Sequence, residues 1–259
     1  MSKLNKYKKS EISQKKEVAD PREIIYELLL HLNKNFEIIG RWENSMGDIP
    51  FSYDFWYQPR HNVMISSEWA APNTFMPGFD LEEVGHLKYG RRLHIWDFKE
   101  KKPIQTMYLG EDGLIPLEVK FLHNPNSSHG FCGAALSANV IHFWKSENGN
   151  WEWEKIIDID NEPHKDWPIP IPGVMSALLV SMDDKYLYIN NWLHGDMRQY
   201  DISNPHKPKL PGQLWMGPLL GKAPPANGVK IAGANVVTAD VEASNGVIHV
   251  IDAVILPTE

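Results

Sequence analysis

MSALLVSMDDKYLYINNWLHGDMRQYDISNPHKPKLPGQLWMG, residues 175–217, divides into four short runs of aromatic, aliphatic and β-branched residues separated by Asp, Gly, Asn and Pro. Such runs bounded by turn formers read as strands, so the segment is a unit of two hairpins. The same unit occurs twice upstream. One copy begins with SYDFWYQPRHNVMISSEW (Ser52 to Trp69) and, after an insertion, continues with RLHIWDFKEKKPIQTMYLG (Arg92 to Gly110). The other begins with LEVKFLHNPNSSHGFCGAALS (Leu117 to Ser137) and continues with NVIHFWKSENGNWEWEKIIDI (Asn139 to Ile159). In the second half of each unit a strand carries Trp96, Phe143 or Tyr200 ahead of a turn. Four strands per unit, repeated at a spacing of roughly 45 to 60 residues, predict propeller blades, each burying a face against the next. The expected fold is all-β: an incomplete β-propeller of about three four-stranded blades, since closed propellers use about 4 to 8.

Composition agrees with a folded chain of this kind. The 259 residues are 42% hydrophobic and 23% charged, and 10 Trp and 19 Pro mark many short strands. Lys and Arg number 26 against 33 Asp and Glu, a net charge of −7, which argues against nucleic-acid binding because that requires a basic footprint. A single Cys excludes an internal disulfide framework and Cys-rich metal sites, so any metal rests on the 11 His and the carboxylates. No apolar stretch of signal-peptide length follows the Lys-rich start, and VIHVIDAVILP (Val247 to Pro257) is too short to span a bilayer. These features predict a cytoplasmic chain without a transmembrane segment.

Residues 1–35 read as a basic tail followed by an amphipathic helix, with Asp20 as cap, Pro21 at the first helical position and apolar residues at Ile24, Leu28 and Leu32. The propeller portion occupies 36–217, and the Pro- and Gly-rich segment 218–227 reads as a linker. Residues 228–259 predict a C-terminal β-hairpin turning at Ser244-Asn245-Gly246.

Three histidines occupy comparable places: His61 in QPRHN, His123 in FLHNP and His194 in NWLHGD. Equivalent loops of successive blades converge toward one axial end, and imidazoles suit Cu, Zn, Fe and Ni, so these three form a candidate metal site. The alternative for each is a hydrogen-bonded turn residue. Glu68, Glu118 and Asp196 lie where they could accept a ligand's second ring proton, or serve as ordinary turn and strand-edge acceptors. Cys132, in an apolar run with no activating cation in view, reads as a buried structural thiol.

The motifs YDFWYQPRHNVMISSEWAAPN, YGRRLHIWD, DGLIPLEVKFLHNP and LYINNWLHGDMRQYDISNP closely resemble the selenium-binding protein family, whose members act as methanethiol oxidases. The resemblance runs from about Phe36 to Gly217. It implies a β-propeller with a copper cofactor that converts methanethiol, O2 and water into formaldehyde, hydrogen sulfide and hydrogen peroxide. It also implies that His61, His123 and His194 are metal ligands. The family's Cys-rich selenium-binding motif has no counterpart here. Where the family reads GFVGCALS this chain reads GFCGAALS, so Cys132 is not carried over as a selenium-binding residue. The segment ANVVTADVEASNGVIHVIDAVILP is similar to the closing strands of a fasciclin domain, which makes the chain a composite, a natural fusion or a misassembled product. A function of a different class is a non-catalytic binding or adhesion module, in which exposed blade edges pair with another protein or with a second copy.

Overall fold

The computed structural model describes residues 29–45, 47–49, 51–164, 169–216, 230–231, 234–243 and 246–251. Three of its sheets have four strands each, joined in chain order by antiparallel pairing. The first blade holds β3 (Ser52–Gln58), β4 (Val63–Glu68), β5 (Arg92–Asp97) and β6 (Lys102–Tyr108). The second holds β7 (Pro116–Phe121), β8 (Gly130–Ala134), β9 (Asn139–Lys145) and β10 (Trp151–Asp158). The third holds β11 (Met175–Val180), β12 (Tyr186–Asn191), β13 (Asp196–Asp201) and β14 (Lys209–Trp215). The first strands adjoin, β3 against β7 and β7 against β11, so the blades radiate as in a propeller. These blades coincide with the three sequence units.

Period-two alternation decides which blade each side chain faces. On β9, Ile141 and Phe143 enter the core shared with the first blade, among Val63, Ile95, Met107 and Phe121. Val140 enters the core shared with the third blade, among Phe131, Met175, Leu178 and Leu187. Phe143 is fully buried, edge-on to Phe121 with ring centres 5.3 Å apart. Gly130 leaves room for it: a Cβ there would lie 2.4 Å from the Phe143 ring and 2.7 Å from the Lys120 carbonyl.

Side chains also stitch blade to blade. Asp54 of β3 accepts from the Val119 amide at 3.0 Å and the Lys120 Nζ at 2.9 Å. Gln105 and the Trp151 backbone exchange two hydrogen bonds, at 2.7 and 2.9 Å. Asp184, at φ 59° in the β11–β12 turn, accepts from the backbone amides of His123 and Asn124, both at 2.7 Å.

The amino-terminal expectation is corrected. Residues 20–28 lie outside the described residues, but the end of the expected helix is strand β1 (Leu30–Leu32), paired with β2 (Ile38–Arg41). The reason is the Asn33-Lys34-Asn35 turn: the Asn33 Oδ1 accepts from the amides of Asn35 and Glu37, and this local bonding prevails over the apolar spacing. At the other end, β15 (Lys230–Ile231), β16 (Ala234–Ala243) and β17 (Gly246–Ile251) form a three-stranded sheet. The expected hairpin is its β16–β17 pair. The linker residues 218–227 lie outside the described residues.

Candidate metal centre

The structure separates the three sequence-predicted ligands. Antiparallel hairpins alternate ends, so the β3–β4 turn, the β7–β8 loop and the β11–β12 turn share one end of the blades, while the β12–β13 turn lies at the other. His61 closes a short 3-10 turn between β3 and β4. His123, just after β7, donates its Nδ1 proton to Asp184 at 2.9 Å, which fixes it at the β11–β12 end. Gln58 and Arg60 beside His61 reach Leu122, Asn124 and Asn126, so the His61 and His123 loops are neighbours. His194, however, follows β12 at its far end, one six-residue strand or roughly 20 Å away. There it is buried and its Nε2 donates to the Ile171 carbonyl at 2.8 Å, next to Gly195 at φ 69°. One ion cannot take all three.

The carboxylates expected beside them are engaged elsewhere. Asp196 accepts from Asn191 at 2.9 Å, Arg198 at 2.8 Å and Gln213 at 2.6 Å. Glu68 accepts from the Arg91 amide at 3.0 Å and forms an ion pair with the Arg92 guanidinium. Glu118 lies 3.7 Å from the Lys120 Nζ. Cys132 is fully buried, and burial pushes its thiol well above the ordinary range.

A different set does converge. Among the described residues, His129, His142 and His206 each place a ligand atom within 4.8 Å of the others. His142, on β9, is on the face turned to the third blade, opposite Glu154 on β10. His129 immediately precedes β8, and His206 comes from the β13–β14 turn of the third blade. The site is thus assembled across a blade boundary. His142 is fully buried, with Trp144 stacked on it at 4.9 Å and Phe131 at 5.4 Å, while His206 is exposed.

Hydrogen bonding fixes the protons. Glu154 Oε1 lies 3.0 Å from His142 Nδ1 and 2.6 Å from His206 Nδ1. A carboxylate only accepts, so both Nδ1 atoms carry hydrogen. His142 Nε2 therefore holds a lone pair, which accepts from His129 Nδ1 at 2.8 Å. Burial would raise the Glu154 pKa, but the two imidazole hydrogen bonds bring it below the usual value. His129 is lowered by burial and by the neighbouring His206. His142 is lowered to about 4, chiefly by burial, with the Glu154 bond opposing. Neutral imidazole is the ligand form. Nitrogens on one ion at roughly 2 Å stand about 4 Å apart or less, so these three residues fit a metal once the rings draw closer and His129 gives up its bond to His142. They form a histidine cluster that could hold one.

The buried imidazoles also set a pH response. His94 on β5 is, like His142, fully buried and lowered to about 4 by burial, with Glu68 opposing and Arg92 reinforcing. Below about 6.5 the unfolded chain binds protons that these folded imidazoles refuse, so their contribution is complete above that pH and is lost as pH falls toward 4. Metal-free protein should be less stable to urea at pH 5 than at pH 7, each group adding a slope of up to about 1.4 kcal/mol per pH unit. Equal midpoints would mean that both rings protonate within the fold.

Known proteins resemble this chain closely. The family model described as 56kDa selenium binding protein matches residues 23–245. Methanethiol oxidase of Rattus norvegicus is 51% identical over 185 residues, covering 71% of this chain and 39% of that protein. Selenium-binding protein 2 of Mus musculus matches with the same identity and coverage, and methanethiol oxidase of Homo sapiens is 50% identical over 193 residues. The chain thus spans about two-fifths of the length of these curated relatives. An X-ray structure of a hypothetical selenium-binding protein from Sulfolobus tokodaii is 34% identical with a TM-score of 0.71, covering 82% of this chain and 49% of that one. The family match continues through β16 to residue 245, so the fasciclin resemblance of the tail finds no support. With three blades in the order of the sequence units and a family match over most of its length, the chain belongs to the 56kDa selenium binding protein family.

Proposed function

We propose that this chain takes part in methanethiol oxidation, with copper held by His129, His142 and His206. The observation that carries the reading is the gathering of three imidazoles, their ligand atoms within 4.8 Å of one another, with Glu154 behind two of them. The reaction is CH3SH + O2 + H2O → HCHO + H2S + H2O2, and copper, when bound, would supply the electron transfer between thiol and dioxygen. The chain supplies the rest. His142, against Phe131 and Trp144, forms a dry inner wall, and exposed His206 leaves the outer side open to a substrate as small as methanethiol. Glu154 accepts from both Nδ1 atoms and so orients the two rings, while burial keeps His142 neutral.

Metal analysis and a peroxide assay test the proposal. Purified protein should bind about one copper per chain and release hydrogen peroxide from methanethiol under air; protein that retains no copper and forms no peroxide would refute it.

The alternative of a non-catalytic binding module draws on the half-exposed aromatic side chains of β3, Tyr53, Phe55, Trp56 and Tyr57. It differs in one accessible quantity: copper raises the melting temperature only if the folded chain binds it.

A further inference from the structure

Both blade boundaries carry polar stitches, but one stitch between the second and third blades is unlike the rest. The Asp54 and Gln105 stitches reach backbone groups or a lysine. Glu154 instead takes its place between two imidazoles, one from its own blade and one from the next, and both bonds end on the same oxygen, Oε1. A neutral imidazole carries one ring proton, and the partner of one nitrogen decides which nitrogen holds it. A single acceptor touching both Nδ1 atoms therefore sets two tautomers at once. In each ring the remaining lone pair is on Nε2.

We propose that Glu154 is a positioning residue that locks His142 and His206 together in the Nδ1–H tautomer and so keeps both Nε2 atoms available as ligands across the blade boundary. This deepens the histidine-cluster reading and rests on it for its use, though the tautomer lock itself needs no metal. His129 lies outside the lock. Its Nδ1 proton occupies the His142 Nε2 lone pair, so His129 is the ring that must turn or change tautomer when His142 takes a metal. Its half-buried position leaves it freer to do so than His142, which lies under Trp144.

The test compares wild-type protein with Glu154→Gln and Glu154→Ala, each free of metal and then titrated with Cu2+. Nitrogen-15 spectra of the rings report the tautomers, and calorimetry reports affinity. Gln keeps an acceptor oxygen at the same reach; Ala keeps none. In Glu154→Ala the His206 ring should leave the pure Nδ1–H form and copper affinity should fall about 10- to 100-fold, with Glu154→Gln in between. Far-UV circular dichroism of the metal-free variants checks that the blades persist, and Glu154→Gln provides the readout if the alanine variant does not fold. Tautomers that stay fixed in a folded variant, or affinities within twofold of wild type, would overturn the proposal. If wild type binds no copper yet its rings lose the Nδ1–H form in Glu154→Ala, the lock stands and the metal reading falls.

Discussion

Phe143→Ala should lower the unfolding free energy by about 3–5 kcal/mol, measured by urea denaturation of the metal-free chain. The ring is fully buried between the first two blades, edge-on to Phe121 and near Trp151, with ring centres 5.3 and 6.3 Å away. Gly130 beneath it is backed by the Lys120 carbonyl, so strand pairing resists collapse into the vacated space. The cost should therefore fall in the upper part of that range. Against a typical stability of about 5–15 kcal/mol, this one change removes a large share. Leu210→Ala, on a side chain 45% exposed, is the matched control and should stay within about 0.5–1 kcal/mol of wild type. A loss below about 1 kcal/mol for Phe143→Ala would mean that the two blades are not closed on each other as described.

The second large effect concerns the two sets of histidines. His142→Ala should weaken copper binding by more than the roughly 10- to 100-fold expected for loss of an outer partner, because it removes the central ligand and leaves Glu154 facing only His206. His61→Ala and His194→Ala should each change copper affinity by less than about twofold, since the first sits in the β3–β4 turn and the second at the opposite end of the blades. Competition with a chelator of known affinity measures all three. Wild-type affinity in His142→Ala, with loss in His61→Ala, would assign the metal to the β3–β4 turn of the first blade instead.

Much of the fold was legible because blades are local objects. Each hairpin in Ser52–Gly110, Leu117–Ile159 and Met175–Gly217 announces itself through strand formers and turn formers a few residues apart, and the strands lie where those runs lie. The Leu30–Leu32 segment was misread because its spacing suits a helix, while the outcome depends on the Asn33 side chain bonding to the backbone. The site was less legible. His61, His123 and His194 look equivalent as residues at strand ends, but His61 and His123 follow first strands and His194 follows a second strand, and each hairpin reverses the end. His129, His142 and His206 share no spacing, since one lies in a loop, one in a strand and one in a turn of the next blade. A signal was present at His142: a polar residue in the run NVIHFW, at the same parity as Val140, directly opposite Glu154 in the hairpin register. Its partner His206 depends on how blades stack, which no local pattern records.

The alternation along β9 has a consequence for assembly. Ile141 and Phe143 face one neighbour, and Val140 and His142 face the other, so the strand is a party wall furnished differently on its two sides. A slip of one residue against β8 and β10 would exchange the furnishings, turning imidazole into the aromatic core and phenyl toward His206. Such a chain would keep its strands and its hydrophobic content, so spectroscopy of the backbone would not reveal the fault. Only a chain with β9 in register gathers the three rings, and the yield of copper-binding molecules after refolding would count those that threaded the wall correctly.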